Sequence, residues 1–228
     1  MKFFIENQKV EKEIEWVLNQ VRLHMNGATS SQMEERGVNY RQNYGVAIPH
    51  LKQLAERIPV SYDLAERLWF MEIRETMLLA ALMVPQEEMS LQRCKEWSDK
   101  VDNIDLIERS AMFLWGRLSI ADECASVWLK EQSGNKKALA FYTIGRKLQM
   151  KEPVAGFDIA NVIGFVSSDD DLPVLKAVSF LLRMLIRNGQ NENSLLMPFI
   201  NNLLAAAETA KQLLGEELKT ELDFMKEK

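Results

Sequence analysis

Apolar residues recur along this chain at helical spacing, in blocks of two to four turns separated by short polar breaks. From Phe3 to Met25 they fall at Phe4, Val10, Ile14, Val17, Leu18, Val21 and Met25, one face of an α-helix. Gly27 is expected to close that helix, and Ser30-Ser31 to cap a short one stopping near Gly37. Tyr40, Tyr44, Gly45 and Pro49 mark 39–49 as a connector, with a helix opening at Pro49. From there the pattern pairs up. Asp63–Trp69 is followed by Arg74–Val84, Leu91–Trp97 by Asn103–Leu118, and Ala121–Leu129 by Lys136–Leu148. Ala155–Phe165 then precedes Leu172–Ile186, and Ser194–Ala207 precedes Thr209–Met225.

The repeat is irregular, roughly 30–37 residues long. An aromatic recurs near the end of each first helix: Trp69, Trp97, Trp128 and Phe165. A single helix pair cannot bury its apolar face, so stacked neighbours must supply the core. The predicted fold is therefore all-α: a solenoid of HEAT-like antiparallel helix pairs, curved with one concave face. Residues 1–228 form one domain in this reading, with 1–58 as an N-terminal helical cap and 59–228 as stacked pairs. The four recurring aromatics are assigned to the core.

Composition fits that picture. The chain is 47% hydrophobic and 27% charged, and 10 Gly and 6 Pro leave little room for long linkers. Met1–Val10 is charged and polar rather than apolar, unlike a secretory leader, and no stretch is apolar for the length of a membrane span. Cys94 and Cys124 have no ligand spacing and are expected as buried thiols in a reducing cytoplasm. His24 and His50 stand apart, so no metal and no cofactor is expected.

Charge narrows the function. A net charge of −5 and a pI near 5.3 argue against broad, nonspecific affinity for nucleic acid. Its distribution is uneven: between Lys136 and Gln190 eight basic residues face five acidic ones, so this segment is +3 and the remainder −8. Lys137 and Lys176 sit near the starts of successive second helices, where a solenoid can present a phosphate-binding strip; ordinary solvated helix charge is the alternative. Asp169-Asp170-Asp171 follows Ser167-Ser168 and precedes a helix, which suits capping and the helix dipole better than a metal. No nucleophile elbow, P-loop or dinucleotide fingerprint is present. In Asp102–Arg109, Asp105 and Glu108 share a helix face, and Asp105 lies four residues before Arg109, the spacing of an intrahelical ion pair.

The stretch Met25–Pro49, with Gly45-Val46-Ala47-Ile48-Pro49 as its turn, followed by Leu68-Trp69 and Ile73-Arg74-Glu75, resembles the AlkD-like DNA alkylation repair proteins. The resemblance continues through Val101–Leu118 and Trp128–Leu139 to Lys176–Arg183. It implies a HEAT-like repeat glycosylase that holds duplex DNA in a basic groove and hydrolyses the N-glycosidic bond of cationic N-alkylated purines. An alkylated base is already a good leaving group, so electrostatic stabilisation of the sugar cation is most of what that chemistry needs.

The family's Trp-Asp-x-x-Asp element falls on Ile104-Asp105-Leu106-Ile107-Glu108. The resemblance thus implies Glu108 as the catalytic carboxylate, with Asp105 as neighbour or substitute. An Arg of the family falls on Lys137, which keeps charge and loses the bidentate fork. A sugar-packing Trp falls on Phe180. The DNA-binding set is then Lys136, Lys137, Lys176, Phe180 and Arg183. Two readings stay open: a DNA-binding repair protein acting on double-stranded, alkylated DNA with weakened or altered catalysis, or an inert helical-repeat scaffold for a protein partner or an unusual DNA structure.

Overall fold

The computed structural model describes residues 4–131, 133–167, 169–190 and 192–226; Phe3 and Ser168 lie outside them. Among the described residues the chain forms thirteen α-helices and two 3-10 turns, and its extended pairing is one isolated bridge between Gln42 and Ile73. It packs as two compact units, Met1–Leu114 and Trp115–Lys228. The first holds α1 (Gln8–Leu23), α2 (Gly27–Glu35), α3 (Ile48–Ala55), α4 (Tyr62–Phe70), α5 (Arg74–Met83), α6 (Leu91–Ser98) and α7 (Ile104–Phe113). The second holds α8 (Ala121–Trp128), α9 (Gly134–Gln149), α10 (Ile159–Gly164), α11 (Leu172–Arg187), α12 (Asn193–Leu204) and α13 (Thr209–Lys226).

Short breaks between paired helices turn the chain back on itself, so that neighbours run antiparallel. Within the first unit α5 packs against α3, α4 and α7; within the second, α11 lies between α9 and α13. Local chemistry sets most helix starts. Asn7, Asn26, Ser61, Ser90, Asn103, Ser133, Asp158 and Asp171 each cap a helix by accepting a backbone N–H on the side chain. Each such cap is worth about 1 kcal/mol.

Several expectations are refined. Gly27 opens α2 instead of closing α1, because the Asn26 side chain caps the Thr29 N–H. The helix expected over Asn103–Leu118 ends at Phe113, and Trp115–Arg117 is a 3-10 turn. The helix expected from Ala155 begins at Ile159, after Gly156 takes a positive φ of 77°.

Three of the four recurring aromatics are core. Trp69, Trp97 and Trp128 are at most 1% exposed, whereas Phe165 at the end of α10 is 42% exposed. Trp69 and Trp97 stack with centroids 4.7 Å apart, and the Trp69 indole N–H donates to the Trp97 carbonyl at 3.1 Å. In the second unit Trp115 and Trp128 meet edge to face at 5.5 Å. Cys94 and Cys124 are buried thiols. No described helix is long and apolar enough to cross a membrane.

Candidate nucleic-acid interface

The first unit builds a charged network around the start of α7. Asn103 caps α7 and also donates to the Asn39 carbonyl at 3.2 Å. In the first turn, the Asp105 carboxylate accepts from the Tyr40 hydroxyl at 3.0 Å, from Arg74 Nε at 2.9 Å and from Arg109 Nε at 3.4 Å. The side chain is 13% exposed. Three donors therefore hold Asp105 in place. Glu108 follows on the same helix, half-buried.

Behind Asp105 the network continues inward. Arg74 is 4% exposed and donates through Nη1 to Glu75 Oε1 at 3.2 Å and to the Val46 carbonyl at 3.1 Å. Glu75 is fully buried and accepts the Tyr44 N–H at 3.0 Å and the Val46 N–H at 3.1 Å. A carboxylate so buried is tolerated only with a cation and backbone donors arranged around it. Burial lowers the proton affinity of the Arg74 guanidinium, but Asp105 and Glu75 outweigh it and leave Arg74 above its ordinary value. Burial first, and the Asp105 charge second, push the Tyr40 phenol far above the usual tyrosine range.

Gly45 completes the arrangement. Its φ is +69°, and a Cβ there would lie 2.1 Å from the Asn26 carbonyl oxygen, so the turn read as part of the Gly-Val-x-x-Pro motif requires glycine. The connector is thus fastened to α2, α5 and α7 together.

The second unit carries the basic surface. Neither α9 nor α11 contains an acidic residue, while α9 holds Lys136, Lys137, Arg146 and Lys147 and α11 holds Lys176, Arg183 and Arg187. On α11, Lys176, Phe180, Arg183 and Arg187 are spaced four, three and four residues apart, one stripe of a helix. Phe180 leans on α9: its ring lies 5.5 Å from Tyr142, and the Arg146 guanidinium sits 4.7 Å over it. Gly145 makes this approach possible, because a Cβ there would come within 2.5 Å of the ring.

Lys176, Phe180 and Arg183 are thus brought onto one stripe, with Lys176 exposed. Lys137, half-buried, places its ammonium 2.8 and 2.6 Å from the two oxygens of Asp170. Lys136 is 6% exposed, so the expectation of a phosphate contact there meets a side chain enclosed by its neighbours. Glu108 and Asp105 belong to the first unit and the cations to the second. Of the aspartate run, Asp171 caps α11 by accepting the Val174 N–H at 3.1 Å, and Asp170 pairs with Lys137. Arg187 and Arg146 were outside the sequence-derived set. The spacing from Lys176 would have found Arg187, whereas Arg146 is identified only by its place over Phe180. Among the described residues no group of three His, Cys, Asp or Glu side chains forms a metal site.

Comparisons with known proteins agree with this architecture. A solved structure described as representing a new family of proteins related to the HEAT-like repeat DNA glycosylases, with affinity for branched DNA structures, superposes with a TM-score of 0.67. It is 16% identical and covers 91% of this chain and 82% of its own. At that identity the likeness shows the fold, a HEAT-like helical repeat. Comparison with curated protein sequences gives no match. The model of the DNA alkylation repair enzyme family matches residues 17–202, most of both units, and on that match the chain belongs to the DNA alkylation repair enzyme family.

Proposed function

We propose that this protein binds double-stranded DNA through the α9–α11 surface and hydrolyses the N-glycosidic bond of cationic N-alkylated purines with Glu108 as the stabilising carboxylate. The observation that carries the DNA reading is the acid-free pair α9 and α11, with Lys176, Phe180 and Arg183 on one stripe. Lysine and arginine on such a stripe supply phosphate contacts, and the part of the half-buried Phe180 ring left open by Arg146 and Tyr142 supplies an apolar edge for deoxyribose.

In the proposed reaction the bond between C1′ and the base nitrogen breaks, and its electron pair neutralises the alkylated base. The Glu108 carboxylate stabilises the positive charge left on the sugar, and water adds to C1′ as its proton is lost. Glu108 takes this role because it stands at the position of the family's catalytic carboxylate. Asp105 is committed to Tyr40, Arg74 and Arg109, so we assign it to bracing the start of α7.

The decisive measurement is release of 7-methylguanine from a methylated duplex by the native protein and by Glu108→Gln. The expected outcome is a loss on the order of 100-fold in release with binding changed by less than about twofold. Release at the native rate in Glu108→Gln would remove the carboxylate from the mechanism. A second reading is favoured by Ile104 standing where the family has Trp, and by the affinity of the structural neighbour for branched DNA. In that reading the surface serves junction binding without excision, and a four-way junction would be bound while no base is released.

A further inference from the structure

The last helix contacts the basic stripe in a way that its neighbours do not. Arg183 Nη1 lies 3.2 Å from Glu217 Oε2. Arg187 makes a two-pronged pair with Glu221, Nε to Oε1 at 2.9 Å and Nη2 to Oε2 at 2.6 Å. Both carboxylates come from α13, which begins after residue 202, where the family match ends. Glu217 and Glu221 are four residues apart, so their carboxylates rise from one helix face about 6 Å from each other at Cβ. They present to α11 a pair of anions in a row.

Arg183 is under-used in this arrangement. Its Nε–H is buried and meets no acceptor among the described residues, so the part of the fork open to a phosphate is the outer edge that Glu217 now holds. Each pair joins an open partner to a more enclosed one: Glu217 is 52% exposed against 29% for Arg183, and Arg187 53% against 11% for Glu221. Beside them runs an open groove of about 730 Å³ between α11 and α13. A single, half-open contact such as Arg183–Glu217 adds little to stability, whereas the two-pronged Arg187–Glu221 pair is the firmer of the two. What holds α13 in place is its apolar side, where Leu214, Leu218 and Leu222 are buried. The glutamates can therefore turn away without the helix leaving.

We infer that Glu217 and Glu221 are a built-in competitor for the phosphates of nucleic acid on α11, occupying Arg183 and Arg187 until a DNA backbone displaces them. This rests on the DNA-binding reading of the α9–α11 surface and extends the site to Arg187. Binding there is an exchange of carboxylate for phosphate on the same two guanidinium groups, and α13 sets how readily the exchange takes place.

The test compares four full-length proteins on a labelled duplex and a labelled four-way junction across a salt series: native, Glu217→Gln/Glu221→Gln, Arg183→Gln/Arg187→Gln, and all four changes together. Neutralising the glutamates is expected to tighten binding by about 10-fold at 50 mM salt and to steepen the salt dependence by about one to two log units per decade. The arginine changes in the same chain should cancel that gain. Tighter binding by the glutamate variant alone, with no detectable binding by the native protein, would support the competitor in its strongest form. If the native protein binds and the glutamate variant binds no tighter, the competitor idea fails while the DNA reading stands. If no variant binds either probe, both fall together.

Discussion

Tyr40 shows how much a single hydroxyl carries. It joins the connector to α7 through Asp105 at 3.0 Å, while burial and the Asp105 charge raise its proton affinity far above that of a free tyrosine. Unfolded tyrosine ionises near about pH 10, whereas native Tyr40 keeps its proton there. Above that pH the native state thus holds more protons than the unfolded one, so stability falls as pH rises and is unaffected by this group below it. Tyr40→Phe is expected to cost about 1 kcal/mol at neutral pH and to flatten the alkaline decline. Denaturant midpoints at pH 7 and above about pH 10 measure both effects. Some slope should remain, because burial and Glu66 raise Tyr62 as well. An alkaline decline as steep in Tyr40→Phe as in the native chain would count against the network.

At the scale of elements, the α9–α11 contact is sensitive at Gly145. Alanine at a helical glycine ordinarily gains up to about 1 kcal/mol. Here its Cβ would lie 2.5 Å from the Phe180 ring, and overpacking costs about 1–3 kcal/mol. The second effect wins, so Gly145→Ala is expected to lose about 1 kcal/mol on balance in urea unfolding and to loosen the ring from Arg146. Gain in stability would show that the ring moves aside freely.

The same scale shows what could be read from sequence. The helix pairs from α4 onward were legible because apolar spacing and turn residues agree, as in Asp63–Trp69 followed by Arg74 onward. Lys176 and Arg183 are named from charge and Phe180 only through the family resemblance, and their shared stripe follows once α11 is in place. The anionic partners of the basic surface were not legible, since Asp170 meets Lys137 across 33 residues and Glu221 meets Arg187 across 34. Local patterns carry no record of such pairings. Phe165 misled for a related reason: it keeps the repeat position of the tryptophans but caps a six-residue helix too short to enclose it. The family resemblance sets Asp105 beside Glu108 as neighbour or substitute, and nothing in local spacing shows its bond to Tyr40, 65 residues away.

For the whole molecule, the net charge of −5 conceals a segment of +3, so binding should be local and strongly dependent on salt. Three phosphate contacts predict a slope near −2.7, and hence about a 40-fold loss of affinity between 50 and 200 mM salt. Fluorescence anisotropy on an unmodified duplex would measure it. A flat response would mean that contacts other than phosphates dominate.

The fastening of the connector has a consequence for how this chain tolerates change in length. Glu75 accepts two backbone N–H groups, from Tyr44 and Val46, with a left-handed Gly45 between them. Only one register of the chain satisfies that buried carboxylate. An inserted or deleted residue between Gly37 and Val46 would leave it facing the wrong atoms, so the segment behaves as a gauge of fixed length. Insertions belong instead at turns such as 152–156, exposed for most of its length, where a longer loop costs little more than its closure entropy.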